Sequence, residues 1–215
     1  MNSSWIDIIE NNWNTIGFSP SAEKPQNRGA AVLIPLVQNA EGETEILFEQ
    51  RALDLDVQPA EICFPGGGIE EDETPLEAAA RETCEELKMK REQIRMIGEI
   101  EGVRNSGIIT IHAFLGMLHE YKGTYAQNEV DHVFTVPVSW FLEHEPEVYM
   151  ATLTTIPDED FPFDLIPGGR DYPWRSTRRP IYFYRHPEGV IWGLTAFILH
   201  DFFSKLKEAV QLPEE

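Results

Sequence analysis

The sequence predicts an α/β or α+β sandwich built around a mixed β-sheet, and three observations support this class. Short apolar segments that suit buried strands occur along much of the chain, and two longer segments have the apolar spacing of helices. The two kinds of segment do not alternate strictly, so a doubly wound parallel sheet is not expected. The length of 215 residues, with 42% hydrophobic and 25% charged residues, fits one ordinary globular domain.

The predicted elements are taken in chain order. A short amphipathic helix is expected over residues 3–13, with Ser3 or Ser4 as its N-cap, followed by a polar loop over 20–29. Strands are expected over 30–37, 45–50, 61–64, 96–100, 108–118, 132–137 and 181–184. The turn-like residues 39–42 indicate that the first two strands form a hairpin. Helices are expected over 75–89 and 194–210, with a short helix around 140–142 and a long loop over 157–180.

The charge balance excludes several classes of partner. The chain has 17 Lys and Arg residues against 37 Asp and Glu residues, which gives a formal net charge of −20. Such a surface repels nucleic acids and anionic membranes, so no binding to either is expected. An anionic small molecule would also be repelled unless a metal ion or a local cluster of arginines reversed the field.

The sequence predicts a cytoplasmic protein. No window approaches the ~18–20 apolar residues of a membrane span, and the N-terminus lacks the basic and apolar regions of a signal peptide. The C-terminus is not a peroxisomal address. The two cysteines, Cys63 and Cys84, form neither a CxxC pair nor a disulfide framework, and a reducing compartment is the default.

The segment 64–89 has the strongest chemical pattern. A Pro-Gly-Gly-Gly turn leaves a strand and leads through an acidic loop into a helix. On that helix Glu82 stands three and four positions before Glu85 and Glu86, so the three carboxylates can converge. Their repulsion costs roughly 0.2–0.5 kcal/mol per pair, and a hard cation such as Mg²⁺ would replace it with coordination. The competing interpretation is a solvated acidic helix face in an acidic chain.

This segment resembles the box of the Nudix hydrolases, G-x5-E-x7-R-E-U-x-E-E-x-G-U, where U is a bulky apolar residue. The matching residues are Gly67, Glu73, Arg81, Glu82, Glu85 and Glu86. Two positions depart from the box. Lys88 stands where the box has its last glycine, and Thr83 occupies an apolar position.

A second resemblance narrows the subfamily. Arg51, Leu55 and residues 64–67 look like the extended signature of coenzyme A pyrophosphatases, and residues 129–140 and 191–196 resemble later parts of those enzymes. The match is incomplete. Where that signature has His and then Gly-Gln, this chain has Gln58 and then Ala60-Glu61, and Asp56 replaces a usual arginine.

The resemblance implies a Nudix-type α/β/α sandwich with a loop-helix-loop catalytic motif. Residues 1–215 are then one domain, with 1–27 as an N-terminal helix and loop extension. The implied activity is cleavage of the pyrophosphate of coenzyme A or its thioesters to 3′,5′-ADP and 4′-phosphopantetheine. Alternatives are hydrolysis of ADP-ribose, NADH or nucleoside triphosphates, and a Nudix-fold binding module without catalysis. The implied cofactor is Mg²⁺ or Mn²⁺, and a homodimer is possible.

The resemblance also implies residue roles. Glu82 and Glu86 are the expected metal ligands, with contributions from Glu85 and from the backbone carbonyl of Gly66. The three consecutive glycines allow the backbone to approach the metal, where a Cβ would obstruct it. The general base is expected to be Glu85 or Glu129.

Arg81 is expected to orient the carboxylates through an internal ion pair with Glu73. The alternative is a surface pair with Glu77 or Glu85 at helical spacing. Substrate phosphates are expected to contact Arg51, Arg104, Arg178 and Arg179, since arginine forks suit phosphate oxygens. The last two belong to the stretch 174–180, and their alternative role is to balance nearby aspartates in a solvated loop.

Overall fold

A computed structural model describes residues 4–17, 29–100 and 110–211, which form two β-sheets and five α-helices. The strands are β1 Gly29–Gln38, β2 Thr44–Arg51, β3 Ile62–Cys63, β4 Gly66–Gly68, β5 Ile94–Ile100, β6 Thr110–Leu118, β7 Val130–Pro137, β8 Glu147–Thr154, β9 Ser176–His186 and β10 Gly189–Trp192. The helices are α1 Trp5–Asn11, α2 Trp13–Ile16, α3 Pro75–Glu86, α4 Val138–Glu143 and α5 Gly193–Val210.

The larger sheet has seven strands and is mixed. Its main path runs β3-β2-β1-β6-β5, with β4 paired to β1 and β7 paired to β2. β1 and β6 are parallel, whereas β1 and β2 form the predicted antiparallel hairpin. The structure therefore confirms the predicted α+β class with a mixed sheet.

Alternation along β1 and β2 gives the large sheet two apolar faces, because successive side chains in a strand point to opposite sides. One face contributes Ile34, Leu36, Ile46 and Phe48 to the larger core cluster. The other face contributes Ala31, Leu33, Val37 and Leu47 to a second cluster.

Helices cover both faces of this sheet, as the predicted sandwich requires. Ala78 and Ala79 of α3 pack in the second cluster, against β1. α5 packs on the opposite face, where Leu199 and Phe202 are fully buried in the larger cluster. Phe141 of α4 joins the same cluster and stacks on Phe203 with ring centroids 5.0 Å apart.

The second sheet corrects the predicted loop over 157–180. β8, β9 and β10 form a three-stranded antiparallel sheet, and β9 begins at Ser176 rather than at residue 181. Residues 157–175 remain irregular apart from two short 3₁₀ turns. Neither β8 nor β10 was predicted. Almost every residue of β8 is exposed, so the strand lacks the buried alternation on which a sequence-based prediction depends.

The N-terminal helix is confirmed in outline, and Ser4 is its N-cap. The Ser4 hydroxyl accepts a hydrogen bond from the amide of Asp7, whose carboxylate accepts in return from the Ser4 amide. Asn12 then divides the predicted helix into α1 and α2. Most of the predicted loop over 20–29 and the start of the strand over 108–118 lie outside the described residues. Within the described ranges, no helix has both the length and the apolar content to cross a membrane.

Candidate active site

The glycine turn and α3 are positioned by β1 and by a well-capped helix start. β4 pairs antiparallel with residues 30–32 of β1, which fixes the glycines beside the sheet. Thr74 caps α3 in a capping box with Glu77, and Pro75 occupies its first position. α3 contacts both β1 and β4, and its side chains Glu82 and Glu86 point towards the glycines.

Glu86 is the most buried carboxylate of α3. Its residue surface is only 3% exposed, and its Oε2 accepts a hydrogen bond from the amide of Gly66 at 2.8 Å. Burial raises the pKa of Glu86 to about 9, and the negative charges of Glu49, Glu82 and Glu129 add to this shift. The metal-free folded protein therefore favours the neutral form of Glu86 at neutral pH, and a nearby cation would favour the carboxylate.

Glu82 lies against the glycine turn. A Cβ added to Gly67 would stand 2.5 Å from the Glu82 carboxyl carbon, so only glycine leaves room for this carboxylate. Partial burial raises the pKa of Glu82, although Arg81 opposes the shift. Glu82 and Glu86 thus both lie at the glycine turn, and their role as metal ligands stays a prediction.

Arg81 makes the internal ion pair that the resemblance predicts. Its Nε and Nη2 bind the two oxygens of Glu73 at 2.9 and 3.0 Å, and Nη2 also donates to the carbonyl of Gly68 at 3.0 Å. Its Nη1 donates to Glu82 at 2.9 Å and to Glu85 at 3.4 Å. The hydrogen bond from Arg81 to Glu73 explains why the pKa of Glu73 is lowered. Arg81 therefore ties the acidic loop, the glycine turn and the helix together.

Replacing Arg81 by Lys is expected to disorder this arrangement. A single ammonium group cannot reproduce the fork that bridges Glu73, Glu82 and Gly68. We expect a loss of roughly 1–2 kcal/mol in the free energy of unfolding and about a 10–100-fold fall in kcat, as for other partners that orient metal ligands. Urea denaturation and steady-state kinetics measure the two effects. Arg185→Lys is the control, because Arg185 makes an exposed fork with Glu147 outside this site. An equal effect in both variants would contradict the assignment.

Glu85 differs from its two neighbours. Its side chain is 58% exposed and reaches only Arg81, at the outer end of the cluster. Its charge still contributes to raising the pKa of Glu82. Of the three carboxylates expected to converge, Glu82 and Glu86 therefore both lie at the glycine turn, whereas Glu85 lies apart from them.

Glu129 is brought to the same place by the loop before β7. Its backbone carbonyl accepts a hydrogen bond from Ala52 at 2.9 Å, next to the end of β2. The same loop is attached to α3, since the amide of Ala126 donates to the Glu86 carbonyl at 2.7 Å. The charge of Glu129 raises the pKa of Glu49, Glu82 and Glu86. The predicted candidate base thus lies within the field of the carboxylate cluster.

Glu49 is a member of the cluster that sequence reasoning missed. It lies on β2 and is only 1% exposed, and burial raises its pKa to about 7. The thiol of Cys63 contacts its Oε1 at 3.5 Å, whereas Oε2 has no hydrogen-bond partner among the described residues. A sequence signal existed, because Glu49 occupies a buried alternation position after Leu47 in an apolar strand.

The predicted phosphate-binding arginines do not all lie together. Arg51 ends β2 close to Glu49, and its Nε donates to the carbonyl of Val57 at 3.3 Å. Arg178 and Arg179 lie on the exposed start of β9, opposite residues 151–152 of β8, in the second sheet rather than in the sheet that holds the cluster. Arg104 lies outside the described residues.

The end of α3 shows how the chain accommodates its departure from the box. The amide of Met89 donates to the carbonyl of Cys84 at 3.1 Å in a Schellman-type termination. Lys88, at the box glycine position, consequently adopts a left-handed conformation with φ of +54°. Thr83, at the apolar box position, is fully buried, and its hydroxyl donates to the Ala79 carbonyl at 2.7 Å. Neither departure displaces the carboxylates.

Lys88→Gly is expected to stabilise the protein by about 0.5–1 kcal/mol, because glycine removes the Cβ strain of the left-handed conformation. Thermal and urea denaturation measure the gain, and kcat should not change. Lys90→Gly is a suitable control, since Lys90 is exposed with φ of −94° and should gain nothing. A destabilised Lys88→Gly protein would contradict the assigned conformation.

The cluster suits a hydrated divalent cation rather than a site enclosed by protein ligands. Among residues 4–17, 29–100 and 110–211, no three His, Cys, Asp or Glu side chains converge on a metal position. Mg²⁺ does not require this, because it is commonly held by one or two carboxylates, with water and substrate phosphates as its other ligands. Glu82 and Glu86 supply two such carboxylates. Burial first, and neighbouring negative charges second, raise the pKa of each, and a cation beside them would favour the charged forms.

The chain is similar to several known proteins. The chain is 26% identical to Nudix hydrolase 3 of Caenorhabditis elegans over 88% of this chain and 78% of that protein. It is 30% identical to the mouse peroxisomal coenzyme A diphosphatase NUDT7, over 61% of this chain and 55% of that protein. A crystal structure of a MutT/nudix family protein from Enterococcus faecalis aligns with a TM-score of 0.49 and 13% identity, over 97% of this chain and 75% of that one.

A family model described as the NUDIX domain matches residues 27–158. The matched range contains the glycine turn, α3 and Glu129, and with them the whole carboxylate cluster. It spans more than half of the chain, so this protein belongs to the Nudix hydrolase family.

Proposed function

We propose that this protein is a divalent-metal-dependent pyrophosphohydrolase that cleaves coenzyme A or its thioesters to 3′,5′-ADP and 4′-phosphopantetheine. The observation that carries the proposal is the placement of Glu82 and Glu86 at the glycine turn, with Arg81 holding Glu82. The proposed cofactor is Mg²⁺ or Mn²⁺. Such an ion would neutralise pyrophosphate charge and lower the pKa of a bound water.

The protein's own residues have distinct parts in this proposal. Glu82 and Glu86 would hold the cation, with the carbonyl of Gly66 and the exposed Glu85 as further oxygen donors. Arg81 keeps Glu82 oriented through its fork to Glu73. The cation and the arginines then oppose the net charge of −20 that would otherwise repel the substrate.

Glu129 is our candidate for the general base, and Glu85 is the alternative. The Glu129 carboxylate lies on a loop tied to both β2 and α3, and its charge reaches Glu82 and Glu86. The Glu85 side chain is instead drawn towards Arg81 at the exposed rim. If Glu129 is the base, Glu129→Gln should lower kcat by about 10²–10⁴-fold and abolish the acidic limb of the pH–rate profile, whereas Glu85→Gln should retain that limb.

We choose coenzyme A over the other candidate substrates for two reasons. The residues around Arg51 and the glycine turn resemble the coenzyme A pyrophosphatase signature, and the mouse relative is named as a coenzyme A diphosphatase. The signature is incomplete at residues 58–61, and this departure keeps ADP-ribose, NADH and nucleoside triphosphates as the alternative substrates. Ala60 adopts φ of +61° where the signature has glycine, and with Glu61 it lines a pocket of about 460 Å³ on the side of the sheet away from α3.

The 3′-phosphate of coenzyme A is the proposed contact of Arg178 and Arg179, with Arg51 and Arg104 near the pyrophosphate. Arg178 and Arg179 are supported only by their positive charge on an acidic chain. They lie in the second sheet and not in the sheet that holds the carboxylate cluster. The double variant Arg178→Ala with Arg179→Ala should raise KM for coenzyme A more than KM for its 3′-dephospho form. Equal KM values for the variant and wild-type proteins would remove these two residues from the site.

A substrate panel tests the proposed function. The protein is incubated with Mg²⁺ and either coenzyme A, ADP-ribose, NADH or dATP, and the products are identified by mass spectrometry. Parallel reactions with the Glu86→Gln protein are the control. Release of 3′,5′-ADP by the wild-type protein alone supports the full proposal. Cleavage of another substrate supports a Nudix hydrolase of different specificity, for which Gln58, Ala60 and Glu61 are the first residues to exchange. Binding without cleavage of any compound would favour a module that has lost catalysis.

The proposal also treats residues 1–215 as one domain, and the family resemblance adds a homodimer as its candidate assembly. Size-exclusion chromatography with light scattering measures the mass against the 24.6 kDa of one chain. A single-chain mass across the micromolar range would refute the dimer without affecting the proposed chemistry.

A further inference from the structure

The pairing of β2 with β3 and β7 places Glu49 beside the proposed metal site. On β2 it follows Leu47 by two positions, so it lies on the sheet face that α3 covers. Its cross-strand neighbours are Cys63 of β3 and Val133 of β7. A thiol and an apolar side chain therefore flank the carboxylate, and neither is positively charged.

The carboxylate of Glu49 is incompletely satisfied. It is 1% exposed, and one oxygen has no hydrogen-bond partner within the part of the chain that the structure describes. The other oxygen has only the weak thiol donor of Cys63, at 3.5 Å. An unpaired buried carboxylate oxygen is costly, so a native protein that retains one requires an explanation.

The charged groups around Glu49 indicate what it faces. The charges of Glu82, Glu86 and Glu129 act on it from α3 and from the loop before β7, and Arg51 on its own strand opposes them. Tyr121 is also close enough to sense its charge, but its hydroxyl donates to the Thr124 carbonyl at 2.6 Å. No described group is therefore positioned to satisfy the free oxygen, which belongs to the same acidic cluster as Glu86.

We propose that Glu49 is a metal-binding carboxylate of this centre that the box motif does not include, and that its free oxygen and Glu86 hold a divalent cation between β2 and α3. This inference rests on the proposed function, because the cation is the one that the hydrolase would use. It pairs a strand carboxylate with one from α3, and water and substrate oxygens would fill the other positions, since no three His, Cys, Asp or Glu side chains of the described residues converge on one metal position. It also accounts for the burial of an acidic side chain between a thiol and a valine.

A structural role for the Glu49–Cys63 pair is the alternative explanation, and the two make different predictions. If the pair only supports packing, the isosteric substitution Glu49→Gln should leave metal affinity unchanged. Cys63→Ala should then destabilise the protein at least as much as Glu49→Gln does. If Glu49 binds metal, the carboxylate charge is essential and the thiol is not.

Titration with Mn²⁺ alone, followed by the electron paramagnetic resonance signal of the free ion, separates these explanations without a substrate. We expect the wild-type protein to bind Mn²⁺, Glu49→Gln to weaken binding by about tenfold or more, and Cys63→Ala to bind within about threefold of wild type. Glu99→Gln is the matched control, since Glu99 is a buried strand carboxylate paired with His112 at 2.7 Å outside the cluster. It should bind Mn²⁺ as wild type does.

Thermal unfolding provides a second readout. Metal-free Glu49→Gln should be at least as stable as the wild-type protein, because the substitution removes a buried charge, but Mn²⁺ should raise its melting temperature less. If Glu49→Gln does not fold, Glu49→Asp replaces it, because aspartate keeps the charge but withdraws it by one methylene and should still weaken binding.

Two results would overturn the inference. Equal Mn²⁺ affinity of the Glu49 variant and the wild-type protein would refute the role of Glu49 while leaving the proposed hydrolase intact. A wild-type protein that binds no Mn²⁺ would refute the metal dependence of the proposed function and this inference with it.

Discussion

Glu86→Gln is expected to lower kcat by roughly 10³-fold or more, which is a loss of about 4 kcal/mol of transition-state stabilisation. The amide keeps the size of the side chain and can remain near the Gly66 amide, but it removes the charge that the proposed cation requires. Steady-state hydrolysis of the best substrate in saturating Mg²⁺ measures the effect. Glu99→Gln should retain wild-type activity, since Glu99 pairs with His112 outside the carboxylate cluster. A Glu86→Gln protein with near wild-type kcat would contradict the assigned role.

The same substitution should also make the stability of the metal-free protein less dependent on pH. The pKa of Glu86 is raised to about 9 in the folded protein from an ordinary value of 4.5, so the folded state binds more protons between these pH values. Stability is therefore lost as the pH rises through this window, at up to about 1.4 kcal/mol per pH unit. In the presence of EDTA, urea denaturation from pH 5 to 9 should show a shallower fall for Glu86→Gln than for wild type. Parallel slopes would contradict the burial of an ionisable group here.

Alanine at Gly66 and at Gly67 should produce sharply different defects. A Cβ on Gly66 would meet the carbonyl of Ala31 and stand 2.6 Å from the Val32 Cα, both of them backbone atoms of β1. Backbone cannot move aside easily, so Gly66→Ala should cost about 3 kcal/mol of folding stability. The three heavy atoms nearest to a Cβ on Gly67 would all belong to the carboxylate of Glu82, at the flexible end of its side chain. Gly67→Ala should therefore cost less than about 1 kcal/mol of stability but lower kcat by roughly 10–100-fold.

Gly68→Ala is the control for this pair, because a Cβ there has no heavy atom within 4 Å. It should change neither stability nor activity strongly. Urea denaturation and kinetics of the three variants together test whether the turn positions Glu82. A Gly67→Ala protein with full activity would show that the position of Glu82 at the turn is not needed.

The sequence predicted most of the fold where burial leaves a pattern. β1 and β2 are recognisable because their apolar residues pack on two covered faces, and α3 because Thr74, Pro75 and its apolar side define its start and orientation. The end of α3 was placed three residues too late, at 89 rather than Glu86, since Lys88 gives no glycine stop signal. β8 was missed because its side chains face solvent and carry no alternation.

The site was predictable to the extent that local spacing determines it. The register of Arg81, Glu82 and Glu86 on one helix is a property of the sequence, and their neighbours at the turn follow from it. The alternation along β2 indicates that Glu49 is buried, but its position beside the carboxylates of α3 was not predictable, because that depends on which face of β2 meets α3 and on the pairing of β3 and β7. The exposed position of Glu85 likewise depends on the way Arg81 divides its donors among three carboxylates.

The most direct test of the central claim is phosphorus-31 nuclear magnetic resonance of one metal-free sample with coenzyme A, before and after Mg²⁺ is added. We expect the two phosphoanhydride resonances to persist in EDTA. After Mg²⁺ is added they should be replaced by phosphomonoester resonances with the wild-type protein and remain unchanged with Glu86→Gln. Persistence of the phosphoanhydrides of coenzyme A, ADP-ribose, NADH and dATP in both Mg²⁺ and Mn²⁺ would contradict a metal-dependent pyrophosphohydrolase. Cleavage at the same rate by Glu86→Gln would contradict the site assigned to it.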